Sequence, residues 1–278
     1  MGVFLQLSKS QSRSTSAGSP GGDNHTPDVF DVGPAAPAGP LPRAGAGDAS
    51  HGLHGLLERG ATILAPLLFA PALLLSYQRL SQAEAGWLAV PGVLLGLAFG
   101  DFVTGLVHWA ADTYCGEDTP VIGRGLVRPF RVHHVRPLEI CDHGLVETVG
   151  NTCILAAPLL ALFLALAAYG ETSPASAFAV FTAIMTVGVT VATNQFHKWA
   201  HQENPPPLAR ALQRAGIILS PEHHREHHAA PFESSYAITN GWLNPLLNRT
   251  GFFRRLEGAL RAVGVKPYRE ERAAGSGK

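Results

Sequence analysis

Four apolar stretches, separated by polar segments, set the pattern of this chain. Residues 61–77 carry no charge, and 86–111 are apolar apart from Asp101 and His108. Residues 145–168 hold one charge, Glu147, near their start, and 175–200 stay apolar as far as Asn194. A bilayer core of about 30 Å takes about 20 apolar residues as helix. Each stretch is near that length, the first being short. Pro66, Pro71, Pro91 and Pro158 fall inside them, which membrane helices tolerate because neighbours satisfy the freed carbonyls. A soluble bundle of four buried helices is the alternative, but no face carries the charge that such helices need. The predicted fold is all-α: four transmembrane helices with a cytoplasmic, histidine-rich metal-binding cap.

The flanking segments complete the organisation. Residues 1–55, rich in Gly, Pro and Ser, read as a disordered tail without a secretory signal. The transmembrane core is expected over 56–204, with a loop at 112–144, the cap over 205–270 and a flexible tail at 271–278. Residues 208–219 and 248–263 are amphipathic, setting Leu and Phe against Arg. Such helices either lie in the headgroup layer or pack on the cap, and both can hold at once. On the second apolar stretch Gly96, Gly100, Thr104 and Gly105 allow close helix contact, and leave room for an alkyl chain as a second use.

Charge orients the bundle. Net charge is zero, with 21 Lys+Arg against 21 Asp+Glu, which argues against nucleic acid as a partner. All Lys and Arg except Arg79 and Lys198 fall before the first apolar stretch, in the 112–144 loop or in the C-terminal region. The positive-inside rule places these, and both termini, in the cytoplasm. Arg far exceeds Lys, and Ala, Gly and Pro abound. That reads as a GC-rich bacterial genome and makes a bacterial inner membrane the expected location.

The chemistry lies in thirteen histidines. On this topology ten of them fall at the cytoplasmic side. His223/His227, His224/His228 and His197/His201 are i,i+4 pairs, and His108/Asp112 and His143/Glu147 repeat the spacing with a carboxylate, which puts both ligands on one helix face. His133 and His134 stand between Pro129 and Pro137. Four histidines in six residues are costly unless a metal binds. Asp101, an acid two turns into a membrane helix, is functional by default. It is either a ligand or, preferably, an outer partner orienting a ligand histidine; Asn194 is read as a second outer partner. His25, His51 and His54 are assigned nothing.

Ten histidines with Asp112 and Glu147 exceed one site and point to two ions. The three cysteines stand outside the clusters, which disfavours a soft-metal site. Ligand type leaves iron, zinc, copper and nickel open. A dinuclear site reached by lipid chains at the membrane surface suits O2 chemistry on an alkyl chain, for which paired iron is the evident cofactor.

Residues 100–151, 193–203 (TNQFHKWAHQE) and 220–257 (beginning SPEHHREHH) resemble the plasmanylethanolamine desaturases, the animal Kua-type and bacterial CarF proteins, and more distantly the plant plastid palmitate desaturases. The matching positions are His108, Asp112, His133, His134, His143, Glu147, His197, His201, His223, His224, His227 and His228. The resemblance implies that O2 is used to desaturate the 1-O-alkyl chain of an ether phospholipid beside its oxygen, giving a vinyl ether. It also implies an external electron donor, cytochrome b5-like or a ferredoxin. The chain has no CxxCH motif and no nucleotide-binding glycine motif. The alternatives are a di-iron acyl or sterol desaturase or hydroxylase, a histidine-rich metal transporter, and a non-enzymatic membrane signalling protein.

Overall fold

A computed structural model describes residues 49–116, 119, 123, 127–229 and 231–268. Most of the expected N-terminal tail, the C-terminal tail and residues 117–118, 120–122 and 124–126 of the 112–144 loop lie outside these residues. Among them every regular element is helical. The helices are α1 (Ala49–Gln82), α2 (Ala89–Tyr114), α3 (Arg128–Val135), α4 (Leu145–Tyr169), α5 (Pro174–His201), α6 (Pro207–Arg214), α7 (Pro221–His227), α8 (Asn244–Thr250) and α9 (Phe252–Ala262).

Four helices, spanning Gly52–Gln82, Gly86–Tyr114, Leu145–Tyr169 and Pro174–His201, are long and apolar enough to cross a membrane. The first is not short. At 34 residues and 1.5 Å per residue α1 measures about 51 Å, and it begins inside the stretch that composition assigned to the tail. Tertiary packing holds that polar first part helical: Gly150 of α4 comes so near that a Cβ there would lie 2.7 Å from Glu58 Cβ. Pro66, Pro71 and Pro158 sit within unbroken helices, as membrane burial permits.

α5 is the central helix, touching α1, α2 and α4, while α1 and α4 pack on each other. Leu, Val and Phe side chains of the spans are broadly exposed, Leu67 by 65% and Val90 by 68%, the surface that a hydrocarbon solvent favours. With no hydrophobic drive between helices in lipid, close van der Waals contact through small residues holds the bundle. Gly92, Gly96 and Gly100 line one face of α2 and receive Phe181, Met185 and Val189 of α5, while Gly105 faces the backbone of Ala237. The small residues of α2 are therefore filled by α5 and by the 236–243 segment. They make the close contact expected of them but leave no room there for an alkyl chain. At the end of the bundle remote from the histidines, the Arg79 guanidinium donates to the carbonyls of Ala167, Ala168 and Gly170 and to the Thr172 hydroxyl. It thereby satisfies the last carbonyls of α4.

The short helices gather at the other end, where α2 and α5 finish and α4 begins. The amphipathic 248–263 stretch is broken at Gly251, whose φ of +62° only glycine adopts easily, giving α8 and α9. Phe253 of α9 packs on Trp109 and Tyr236, and Phe252 on Phe102, so the apolar face of α9 meets α2.

Candidate metal centre

Each ligand-type side chain reaches the site from a helix end. His108 and Asp112 occupy the last turns of α2, His133 and His134 the end of α3, and His197 and His201 the end of α5. The segment Pro221–His227 becomes a helix because Ser220 caps it, accepting from His223 N, and Pro221 takes the first position, where no N–H is needed. That helix carries His224 and His227, with His228 at its C-cap.

Two groups result. His133, His197, His201, His224 and His228 bring one ring nitrogen each within 4.8 Å of one another, and so do His134, His108 and His227 with an Asp112 oxygen. All five histidines of the first group are buried. The adjacent pairs His133-His134 and His227-His228 straddle the groups, one member in each, because neighbouring helical side chains diverge by about 100°.

In the five-histidine group the Nε2 atoms face inward. His197 lies 2.8 Å from His224, His224 2.7 Å from His201, and His201 3.2 Å from His197. A neutral ring nitrogen either carries a hydrogen or offers a lone pair. Three mutually contacting nitrogens cannot alternate between these, so at least one contact sets like against like. His133 makes the same triangle with His197 and His201, at 2.9 and 3.0 Å. A cation that takes every lone pair removes the conflict, so the donor set fits a metal.

In the second group Asp112 Oδ2 is 3.3, 3.5 and 3.7 Å from the Nε2 atoms of His108, His134 and His227, and His134 and His227 Nε2 are 2.9 Å apart. His108 Nδ1 donates to the Tyr236 carbonyl at 3.1 Å, and His227 Nδ1 to the Ser234 carbonyl at 2.9 Å. A carbonyl only accepts, so in the neutral ring Nδ1 holds the hydrogen and the Nε2 lone pair points into the group. The Phe232 ring stacks on His134, with centroids 5.4 Å apart.

Burial keeps these rings neutral. It pushes His133 well below the usual histidine range, helped by the His197 and His228 rings, and pushes His224 down likewise, helped by His197 and His201. Burial lowers His227 to about 4, the Ser234 hydrogen bond opposing it, and lowers His228 to about 3, with His227 adding to the effect. Uncharged imidazole is the form that binds metal.

Three expected ligands stand apart. His143 pairs with Glu147 at 3.6 Å, and Glu147 is 64% exposed. The His143 carbonyl accepts from Lys198 Nζ. His223 is exposed, its ring beside Gly241. The His143/Glu147 pair lies outside both groups, and of the His223/His227 pair α7 turns His223 outward while His227 points in. The two expected outer partners also sit elsewhere. Asn194 Nδ2 donates to Thr152 Oγ1 at 3.1 Å, joining α5 to α4. Asp101 does not accept from a histidine among the described residues. Its carboxylate instead takes the backbone N–H groups of Thr239, Asn240, Gly241 and Leu243 at 3.0–3.1 Å. The residues that orient His108 and His227 were invisible to motif reading, because a backbone carbonyl has no signature in sequence.

A family model described as a lipid desaturase domain matches residues 97–270, which hold both groups. The chain is 43% identical over 187 residues to a plasmanylethanolamine desaturase of Myxococcus xanthus, covering 66% of this chain and 65% of that protein, just under two thirds of its length. It is 39% identical over 199 residues to plasmanylethanolamine desaturase 1 of Mus musculus, covering 69% of this chain and 72% of the relative. It is also 34% identical to a chloroplastic fatty acid desaturase 4-like protein of Arabidopsis thaliana over 62% of this chain and 57% of the relative. No solved structure matches.

Proposed function

Because the chain belongs to the lipid desaturase family, we propose that it is a membrane-bound di-iron desaturase that converts the 1-O-alkyl chain of ether phospholipids, plasmanylethanolamine above all, into the vinyl ether of a plasmalogen. The observation that carries this reading is the pair of ligand groups joined through His133-His134 and His227-His228 at the end of a four-helix membrane bundle. His133, His197, His201, His224 and His228 would hold one iron, and His108, Asp112, His134 and His227 the other. Iron bound there supplies the O2-dependent oxidation of an alkyl C–H bond, which no amino-acid side chain provides.

The balance is simple. The two carbons of the alkyl chain next to the ether oxygen lose two protons and two electrons. A separate donor, cytochrome b5-like or a ferredoxin, supplies two more electrons, and with two protons O2 is reduced to two waters. The chain's own residues do three things. The Tyr236 and Ser234 carbonyls hold two rings in the binding tautomer. Burial keeps the imidazoles neutral near pH 7. Asp112 brings the one carboxylate, offsetting part of the metal charge. Both termini are assigned to the cytoplasm of a bacterial inner membrane, on the distribution of Lys and Arg.

The plant relatives, named as fatty acid desaturases, favour acyl lipid as the second reading. A metal transporter is disfavoured, since Asp101, the one acid deep in a span, is engaged by four backbone amides. Lipid mass spectrometry of a plasmalogen-free host, with and without the gene and with ether lipid supplied, tests the proposal. Acid-labile vinyl ethers are expected. New acid-stable alkenes in acyl chains, without vinyl ethers, would establish the second reading instead.

A further inference from the structure

One segment supplies both carbonyls that orient histidines of the four-residue group: Ser234 for His227 and Tyr236 for His108. That segment is not held by regular structure. Ser235 has a φ of +57° and Gly241 of +75°, so its path needs external anchors. Asp101 is the principal one. It is fully buried in α2, two turns before His108, and accepts the amides of Thr239, Asn240 and Gly241 on Oδ1 and that of Leu243 on Oδ2. Asn244 adds a two-bond clamp on Ala237, at 3.0 and 2.9 Å, next to Tyr236. The Thr239 hydroxyl sits between those of Thr104 and Thr193, at 2.9 and 2.7 Å.

We propose that Asp101 is a positioning residue for the His108, Asp112, His134 and His227 centre: by gathering four amides of the 239–243 turn it fixes the Tyr236 and Ser234 carbonyls that aim the His108 and His227 lone pairs. α2 thus sets both His108 and, through the turn, the carbonyl that orients it. A carboxamide cannot replace the carboxylate. Its oxygen accepts the three amides on one side, but its NH2 then meets the Leu243 N–H, donor against donor. The inference rests on reading the two groups as metal centres.

The test is iron binding by the purified full chain in detergent, loaded with Fe(II) without oxygen and measured by elemental analysis per folded chain. His134→Ala and His201→Ala report the two centres separately. Asp101→Asn is expected to weaken the four-residue centre about 10–100-fold, the usual effect of losing an outer partner, and to leave the five-histidine centre loaded. Added to His134→Ala it should therefore change little, and added to His201→Ala it should leave the chain almost empty of iron. Asn244→Ala, which spares Asp101 but frees Ala237, should give the same pattern more weakly, and it decides the matter if Asp101→Asn does not fold. Wild-type iron affinity in folded Asp101→Asn, or equal loss from both centres, overturns the proposal. If neither His134→Ala nor His201→Ala lowers the iron content, the two-centre reading itself fails and the inference falls with it.

Discussion

The seam between α2 and α5 holds together the two helices that end in His108, Asp112, His197 and His201, and Gly96→Ala tests it. A Cβ at Gly96 would lie 2.5 Å from Met185 Cβ, 3.2 Å from Thr186 N and 3.3 Å from the Met185 carbonyl carbon. Carbon atoms settle at about 3.5–4.0 Å. None of the three atoms met lies beyond a side-chain torsion, so no rotamer change relieves the clash and the helices must part by about 1 Å. Overpacking of this kind costs about 1–3 kcal/mol. Replacing a helical glycine by alanine returns about 0.5–1 kcal/mol, leaving a net loss of up to about 2.5 kcal/mol and a gap of about 1–3 kcal/mol below an alanine that meets no clash. Gly60→Ala and Gly258→Ala are the controls: both lie inside helices, α1 and α9, and a Cβ at either meets nothing within 4 Å. They should be neutral or slightly stabilising. Denaturant unfolding in micelles, followed by tryptophan fluorescence, measures all three. The α2 seam is refuted if Gly96→Ala is as stable as the controls. The parting should also reach the site, since His108 lies twelve residues further along α2, about 18 Å, so iron retention should fall in Gly96→Ala and not in Gly60→Ala.

Two other outcomes follow from the site. His143→Ala and His223→Ala should keep the wild-type iron content, since both side chains lie outside the two groups, whereas His224→Ala should lose iron; equal loss in all three on elemental analysis would enlarge the ligand set. In metal-stripped protein His227 and His228 titrate near 4 and 3, below the ordinary 6.5. The unfolded chain therefore takes up protons first, so stability is full above about pH 6.5 and falls as pH drops toward 4 and 3; denaturation midpoints that stay level from pH 7 to 5 would contradict this, and bound iron, competing with protons, should move the fall to lower pH.

Much was legible along the chain because it rests on local rules. Apolar runs of bilayer length specified four membrane helices, and i,i+4 spacing picked out His197/His201, His224/His228 and His108/Asp112, each pair meeting on one helical face. Tertiary structure decided what periodicity cannot express. His223 and His227 share the same spacing, yet one faces solvent and the other the site, because only the packing of α7 against the bundle selects a face. Adjacent His133 and His134 serve different groups, a division set by where α5 and α2 end. α1 proved long because α4 supports its polar beginning. Asp101 was recognisable as a costly buried acid, but its partners are amides 138–142 residues away in sequence. A backbone N–H or carbonyl is the same at every residue, so which of them a side chain meets is known only once the chain has folded.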